Sequence, residues 1–198
     1  MKKLLLTAVL LLSSPFIWAF DIAALTKTLQ QPQSVQGRFE QQRYLKTLSK
    51  PMTTRGEFVL LPGKGLLWHM QQPFDNRLRV RADGIMQWNG SRWVAADGGK
   101  VSGQSQQVKL FLNLLGGNTA DLQQQFDLQL SGSPSQWRLR LQPKTVLMKQ
   151  IFERIDIGGD EVVRRIELHE KQGDRTVMRF LDVNTSQPLA AFAKEAVQ

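Results

Sequence analysis

Residues 66–73 read Leu-Leu-Trp-His-Met-Gln-Gln-Pro, and residues 77–81 continue as Arg-Leu-Arg-Val-Arg. In both stretches the side chains alternate, so that one face carries large apolar groups and the other carries most of the polar ones. An alternation with a period of two is typical of β-strands that have two distinct faces. Short turn signals such as Asn89-Gly90 separate successive runs of this kind. The pattern predicts an antiparallel meander.

Two segments break this pattern, and both are predicted to be helices. Apolar residues recur at helical spacing over 22–29, between Asp21, which can cap the first turn, and Pro32. Residues 106–115 are apolar on nearly every side, so a helix there has to be covered on more than one side. Strand patterns resume over 126–181, which brings the total to roughly ten strands.

A sheet this large, with so few helices, buries one face most readily by curling on itself. We therefore expect a mainly β fold with two or three helices. It consists of a single antiparallel sheet curled into an unclosed β-barrel, with residues 106–115 as a helical lid. No repeat, low-complexity tract or linker divides the chain, so a single domain is expected.

Residues 1–19 have the order of a secretory signal peptide. Lys2 and Lys3 precede an apolar run over 4–12, and Ser-Ser-Pro follows before Ala19. The apolar run is too short for a stable membrane span, which needs about 20 residues. We expect cleavage after Ala19, which leaves residues 20–198 as one domain exported to the periplasm.

The composition removes several classes of chemistry. The chain has 198 residues, with 26 Lys and Arg against 17 Asp and Glu, a formal charge of +9, and no cysteine. Disulfides, thiol nucleophiles, cysteine zinc sites and iron–sulfur clusters are therefore excluded.

Motifs for other chemistry are also missing. His169-Glu170 lacks the second histidine of a zinc-protease motif, and the sequence has neither a phosphate loop nor a G-x-S-x-G elbow. A serine triad would have to recruit His69 or His169, and neither has a local signature. We expect no enzymatic activity, no cofactor and no metal.

The excess of basic residues indicates an anionic partner. For an exported protein, an anionic membrane surface or an acidic partner protein fits better than nucleic acid. Five arginines occupy alternating outward positions, where they form either a solvated face or a docking surface for an acidic partner or lipid head groups. They are Arg77, Arg79, Arg81, Arg138 and Arg140.

The apolar stripes of the predicted strands are candidates for a cavity. A curled sheet of about ten strands encloses more room than its own side chains usually fill, although the same residues can equally form an ordinary core. The candidate cavity residues are Leu66, Trp68, Met70, Leu78, Val80, Trp88, Phe126, Leu128, Trp137 and Leu139. The candidate lid residues are Val108, Phe111, Leu112 and Leu115.

Gly56-Glu57-Phe58 and residues 66–73 make the chain resemble the periplasmic outer-membrane lipoprotein carriers, the LolA family. The order of elements agrees over nearly the whole chain after residue 19, through Leu141-Gln142-Pro143-Lys144 and Gln150 to the last strands. In better-known members, an arginine six residues before the tryptophan ties the lid, and Pro62 occupies that position here.

The resemblance implies a barrel capped by helices, whose hydrophobic cavity shields lipoprotein acyl chains in transit from the inner to the outer membrane. It also implies an ATP-driven release complex or exporter in the inner membrane and an acceptor in the outer membrane. Two alternatives are a carrier for another envelope lipid, such as a glycolipid or polyene-type lipid, and a partner-binding sensor or exporter accessory with the same fold. We expect a monomer that binds no nucleic acid.

Overall fold

The computed structural model describes residues 20–81, 84–96 and 112–197. The expected signal peptide, residues 1–19, and two of the candidate lid residues, Val108 and Phe111, lie outside these ranges.

Eleven β-strands make up most of the described chain. They are β1 (Val35–Tyr44), β2 (Met52–Leu61), β3 (Gly65–Gln72), β4 (Asn76–Arg81), β5 (Gly84–Trp88), β6 (Trp93–Ala95), β7 (Phe126–Ser133), β8 (Gln136–Pro143), β9 (Phe152–Gly159), β10 (Val163–Glu170) and β11 (Arg175–Asn184). The alternation of residues 66–73 and 77–81 therefore corresponds to the adjacent strands β3 and β4, as predicted.

The first predicted helix is confirmed as α1 (Ile22–Gln30), and the Asp21 carboxylate caps it by accepting the backbone N–H of Ala24 at 2.8 Å. The end of the predicted apolar helix is also helical, over 112–115. Three further helices were not predicted: α2 (Thr119–Gln125), α3 (Val146–Ile151) and α4 (Ala191–Val197). Each has only six or seven residues, which is too short for apolar periodicity to distinguish a helix from a strand.

All eleven strands belong to one sheet, in the order β6-β5-β4-β3-β2-β1-β11-β10-β9-β8-β7. Every neighbouring pair is antiparallel. The first and last strands of the chain pair in the middle, while β6 and β7 form the two edges and are not paired with each other within the described residues. The prediction of an unclosed, antiparallel β-barrel is therefore confirmed, with one strand more than expected.

Two apolar clusters lie on opposite faces of the sheet. The larger one, the concave cluster, combines buried side chains from nine strands, so that strands far apart in the sheet order meet at one core. The smaller one, the convex cluster, joins Leu61 and Leu67 to Ala193, Ala196 and Val197 of α4. No helix in the described part of the chain has the length and apolar character needed to cross a membrane.

Candidate functional site

Four aromatic side chains form the centre of the concave face. The Trp68 ring stacks on the Phe39 ring with 3.8 Å between their centroids. Phe58 and Phe180 pack around this pair, with ring centroids 6.4 and 6.5 Å from Trp68. Such stacked and edge-on contacts favour a fixed arrangement beyond what burial alone provides. The strands β1, β2, β3 and β11 are therefore joined by one aromatic group.

Gly56 allows two of these rings to meet across β2. It pairs with Phe39 on one side and with Met70 on the other, and it has no side chain to separate the neighbours. A Cβ at this position would lie 2.0 Å from the backbone carbonyl oxygen of His69. The close approach of two backbones therefore requires glycine at this position.

Nine of the ten candidate cavity residues lie on the concave face. Seven are buried in the concave cluster, namely Leu66, Trp68, Leu78, Val80, Phe126, Trp137 and Leu139. Met70 and Leu128 are partly buried and pack against the same cluster. These nine side chains pack on one another and on their neighbours, so the candidate cavity is occupied by the protein's own apolar groups.

Trp88 lies on the opposite face, in contrast to the expectation from its sequence. The register pairs Ile85 with Val80 and Gln87 with Leu78, so Ile85 and Gln87 share the concave face, whereas Trp88 pairs with Trp93. The Trp88 ring instead packs 5.3 Å from the Phe192 ring of α4. Because α4 covers the convex face, that face has its own apolar layer. Trp88 packs in this layer, although the alternation of the sequence predicted it to face the interior.

Three helical segments cover the concave face. They contribute buried leucines to the concave cluster, namely Leu25 and Leu29 from α1, Leu114 and Leu115 from residues 112–115, and Leu122 from α2. Leu112 is partly buried against the same cluster. Both described candidates for the lid, Leu112 and Leu115, therefore belong to this cover.

Hydrogen bonds tie the cover together. The hydroxyl groups of Thr26 and Thr119 lie 2.8 Å apart, and the Gln30 side-chain amide donates to the Gly117 carbonyl oxygen at 3.2 Å. Within the described residues, these are the hydrogen bonds that join α1 to segments distant in the sequence. The helix is therefore held to the sheet by apolar contact, and to the rest of the cover by hydrogen bonds.

Gly117 sets the close approach between two parts of the cover. Its φ angle of +65° lies in the left-handed region, and a Cβ there would be 2.9 Å from the Leu29 Cβ and 3.4 Å from the Thr26 carbonyl oxygen. A larger residue would be strained in its backbone and would push α1 away. The position of α1 thus depends on this glycine.

None of the ten candidate cavity residues lines either of two pockets that open on the surface of the described residues. A pocket of about 860 Å³ lies between α1 and α2, beside Ile22, Thr26 and Thr119. A second pocket, of about 310 Å³, lies on the convex face between α4 and strands β2 to β4, and both Leu67 and Phe192 line it.

The five candidate surface arginines lie on the convex face in two separate groups. Arg77, Arg79 and Arg81 are on β4, whereas Arg138 and Arg140 are on β8. Seven strand spacings separate these two strands, about 34 Å along the curved sheet. The arginines therefore form two patches rather than one docking surface.

The two patches differ in their surroundings. On β4, the Arg77 and Arg79 guanidinium groups lie over the rings of Phe192 and Trp93, each at 5.4 Å, and so they pack against the convex cluster. On β8, Arg138 lies within ion-pair distance of no carboxylate in the described part of the chain. The β8 patch is therefore the more available of the two for an anionic group.

Asp156 is the centre of a charged network beside Arg138. Its carboxylate oxygens lie 2.7 Å from Arg140 and 2.9 Å from Arg154, and it also faces His169 at 3.7 Å. Partial burial alone would raise the pKa of Asp156, but the hydrogen bonds from the two arginines outweigh it and lower the pKa below its ordinary value. The carboxylate is therefore ionised at neutral pH.

Both histidines lie among charged side chains on the convex face. His169 Nε2 is 3.1 Å from a Glu167 carboxylate oxygen, and burial together with the Arg154 charge lowers the pKa of His169. His69 Nε2 lies 3.2 Å from an Asp75 carboxylate oxygen. In the described ranges, no group of three or more His, Asp or Glu side chains is arranged to hold a metal ion. The two histidines therefore belong to ion-pair networks.

Sequence reasoning missed the residues that surround Trp68. Phe39, Phe58 and Phe180 all belong to the concave cluster, yet none was a candidate. A signal was present for one of them, since Phe39 stands between Arg38 and Glu40 in a strand-like alternation. Their meeting could not be foreseen, because it depends on the pairing of the first strand with the last.

Solved structures with this fold are known. A chain of the MucA/MucB complex from Pseudomonas aeruginosa is 16% identical, with a TM-score of 0.51 over 85% of this chain and 56% of that chain. A LolA superfamily protein from Nitrosomonas europaea is 9% identical, with a TM-score of 0.49 over 89% of this chain and 97% of that chain. This chain thus spans little more than half of the matched Pseudomonas chain, and at 16% identity that likeness concerns the fold alone.

No curated protein sequence matches the chain. In contrast, the family model described as outer membrane lipoprotein carrier protein LolA matches residues 30–193, from the end of α1 into α4. Because this match covers most of the sequence, the chain belongs to the LolA family.

Proposed function

We propose that this protein is a periplasmic carrier that shields lipoprotein acyl chains and shuttles them from the inner to the outer membrane. In this proposal residues 1–19 direct export, and residues 20–198 act as a single domain without enzymatic activity. The observation that carries the proposal is the apolar concave face, which extends over nine strands beneath a separate cover of short helices. Membership of the LolA family supports a carrier or binding role.

The concave face can take up an acyl chain only if the cover moves. Its aromatic and aliphatic side chains are packed against leucines of the cover, among them Leu25, Leu29 and Leu122. An acyl chain that replaces these leucines keeps the concave face out of water. Movement of α1 breaks only two hydrogen bonds to other described segments, through Thr26 and Gln30.

The energetics favour transfer between two apolar environments. Each methylene group exposed to water costs about 0.8 kcal/mol, so a carrier cannot release an acyl chain into the periplasm. A membrane and a protein interior are both apolar, and transfer between them is nearly balanced. The sequence has no phosphate loop, so we propose that an ATP-driven complex or exporter in the inner membrane loads the carrier and an outer-membrane acceptor unloads it.

A disulfide between α1 and α2 tests whether the cover must open. The double variant Thr26→Cys/Thr119→Cys places two thiols where hydroxyl groups lie 2.8 Å apart, and the natural chain has no cysteine to interfere. We expect the oxidised variant to take up a fluorescent fatty-acid analogue far more slowly than the wild type. Reduction with dithiothreitol should restore uptake.

The single variants Thr26→Cys and Thr119→Cys are the matched controls, because each loses the hydroxyl pair but forms no intramolecular disulfide. Equal uptake by the oxidised and reduced double variant would contradict the proposed opening. Mass spectrometry of lipid that co-purifies with the wild type identifies the cargo, and a glycolipid or polyene-type lipid there would favour the carrier for another envelope lipid.

A second candidate function is a partner-binding sensor or exporter accessory. The observation that favours it is the β8 patch, where Arg138 lies without an ion pair among the described residues while the concave interior is packed. In that case Arg138→Glu should abolish capture of an acidic envelope protein and leave fatty-acid uptake unchanged. An acyl-carrier role alone predicts no loss of capture.

A further inference from the structure

The exposed apolar side chains of the described residues gather at one end of the barrel. Antiparallel pairing places the connections 45–51, 73–75, 89–92, 144–151 and 171–174 at the same end of the sheet, and we call these five connections the loop rim. Six large apolar side chains are exposed in the described ranges. Four of them, Leu48, Phe74, Val146 and Leu147, lie in the loop rim, and Met52 adjoins it.

The exposure at the rim is large, and local packing does not account for it. Phe74 is 75% exposed and Val146 is 74% exposed. The helix α3, which carries Val146 and Leu147, has no fully buried residue, and its Met148 and Ile151 are partly buried against the concave cluster. A six-residue helix has little stability of its own. Exposure of two adjacent apolar side chains to water is unfavourable. Contact with an apolar surface outside the protein would remove them from water.

The loop rim is also basic. It contains six cationic residues, Lys46, Lys50, Arg92, Lys144, Lys149 and Lys171, against two carboxylates, Asp75 and Asp174. Asp75 already lies 3.2 Å from His69, and Asp174 lies 3.8 Å from Arg43. None of the five lysines pairs with a carboxylate among the described residues. The positive charge is therefore available to an anionic surface.

In the part of the chain that the structure describes, the opposite end of the barrel has neither property. Its described connections, 31–34, 62–64, 134–135, 160–162 and 185–190, contain one cation, Lys64, and two carboxylates, Asp160 and Glu161. No large exposed apolar side chain lies in them. The sixth exposed side chain, Leu181, is on β11 rather than in a connection. Among the described residues, apolar exposure and positive charge thus coincide at one end only.

We infer that the loop rim docks on the surface of an anionic lipid bilayer. Phe74, Leu48 and the two apolar residues of α3 enter the interface, and the lysines beside them contact anionic head groups. From the 73–75 turn to α3 the rim spans six strand spacings, about 29 Å along the curved edge, so its apolar groups meet a bilayer at several points. This inference goes beyond the carrier role and does not require it.

The rim is joined directly to the cover of the concave face. The backbone N–H of Lys144 donates to the Gln125 carbonyl oxygen at 2.9 Å, and its ammonium group donates to the Gln123 carbonyl oxygen at 3.2 Å. Docking through the rim therefore brings the end of α2 next to the bilayer.

Vesicle sedimentation tests the inference. The chain from residue 20 onward is mixed with vesicles of phosphatidylcholine alone, or of equal parts phosphatidylcholine and phosphatidylglycerol. We expect binding to the mixed vesicles that weakens in high salt. Phe74→Ser combined with Leu147→Ser should weaken it at least about tenfold, because two exposed apolar groups lose their contact. Lys149→Glu should weaken it at least about fivefold.

Matched controls come from the rest of the molecule. Leu181→Ser removes the exposed apolar group outside the rim, and Lys64→Glu reverses a charge at the opposite end. Both should bind vesicles like the wild type. Fatty-acid uptake without vesicles, measured on all variants, separates this inference from the proposed function, because the rim variants should keep it.

Several results would overturn the inference. These are no binding of the wild type to the mixed vesicles, equal binding to neutral vesicles, or equal losses in the rim and control variants. Self-association of the wild type that the Phe74 and Leu147 substitutions abolish would assign the rim to a second copy of the chain instead.

Discussion

Replacement of Gly117 by alanine should loosen the cover of the concave face without disturbing the sheet. The substitution places a Cβ at a φ of +65°, which costs a non-glycine residue roughly 1–2 kcal/mol. It also places that Cβ 2.9 Å from the Leu29 Cβ, closer than the 3.4–4 Å of ordinary contact. Relief requires α1 to shift, and overpacking of this kind costs roughly 1–3 kcal/mol.

Gly63 provides the matched control for this experiment. Its φ is +72°, nearly the same as that of Gly117, but a Cβ there meets no atom within 4 Å. Gly63→Ala therefore has the backbone cost and lacks the contact with α1. Chemical denaturation should show that Gly117→Ala is the more destabilised of the two by about 1–3 kcal/mol.

The same comparison reports on opening. If the extra strain is present only while α1 lies on the sheet, it raises the population of the open cover about 5- to 150-fold. Gly117→Ala should then take up a fluorescent fatty-acid analogue faster than the wild type, while Gly63→Ala should not. Equal destabilisation of the two variants would refute the contact with α1. Greater destabilisation with unchanged uptake would refute the role of α1 as a lid.

Three further predictions concern the aromatic group, the charged network and the convex cluster. Trp68→Ala should lower the free energy of unfolding by about 3–5 kcal/mol in chemical denaturation, because it empties the centre of the concave face; a loss below about 1 kcal/mol would contradict this packing. Because the pKa of His169 is lowered from 6.5 and that of Asp156 from 3.8, the unfolded chain takes up each proton first. Denaturation at a series of pH values should therefore show stability falling below pH 6.5 through His169, and again below pH 4.5 as Glu167, whose pKa is also lowered, and then Asp156 and Asp160 take up protons; His169→Gln should remove the upper step. Trp88→Ala should speed hydrogen exchange in α4, because Trp88 packs against Phe192, and it should leave fatty-acid uptake unchanged. A loss of uptake would contradict the position of Trp88 on the convex face.

Much of the architecture could be predicted from periodicity. The alternation in residues 66–73 and 77–81 corresponds to the paired strands β3 and β4, and the Asp21 cap begins α1 where expected. These features are local, because each depends on side chains only a few positions apart. The unclosed barrel also followed from a general argument, since a large sheet with few helices has to curl.

The face of a strand could be predicted only where one face is apolar. The rule failed at Trp88, because α4 covers the convex side of β2 to β6 and gives apolar residues a place on both faces. The alternation within a strand cannot show that α4, from the end of the chain, packs on the convex face.

Which candidate residues lie close together depends on the order of the strands in the sheet. Periodicity does not predict that order. The arginines of β4 and β8 seemed comparable in sequence, but the sheet places them seven strand spacings apart. The aromatic group around Trp68 requires β1 to pair with β11, at the two ends of the chain. Non-local pairing of this kind is decided by the packing of the whole core.

The two edge strands, β6 and β7, give the sheet a property that a fully closed barrel lacks. The circumference of a closed barrel is fixed by its strand number and stagger, and it cannot grow without a break in its hydrogen-bond ladder. Within the described residues no hydrogen-bond ladder joins β6 to β7. The distance between these two edges can therefore increase, and the sheet can widen, while all ten strand pairings stay intact. If the protein carries acyl chains as proposed, the same sheet can widen to hold one acyl chain or several.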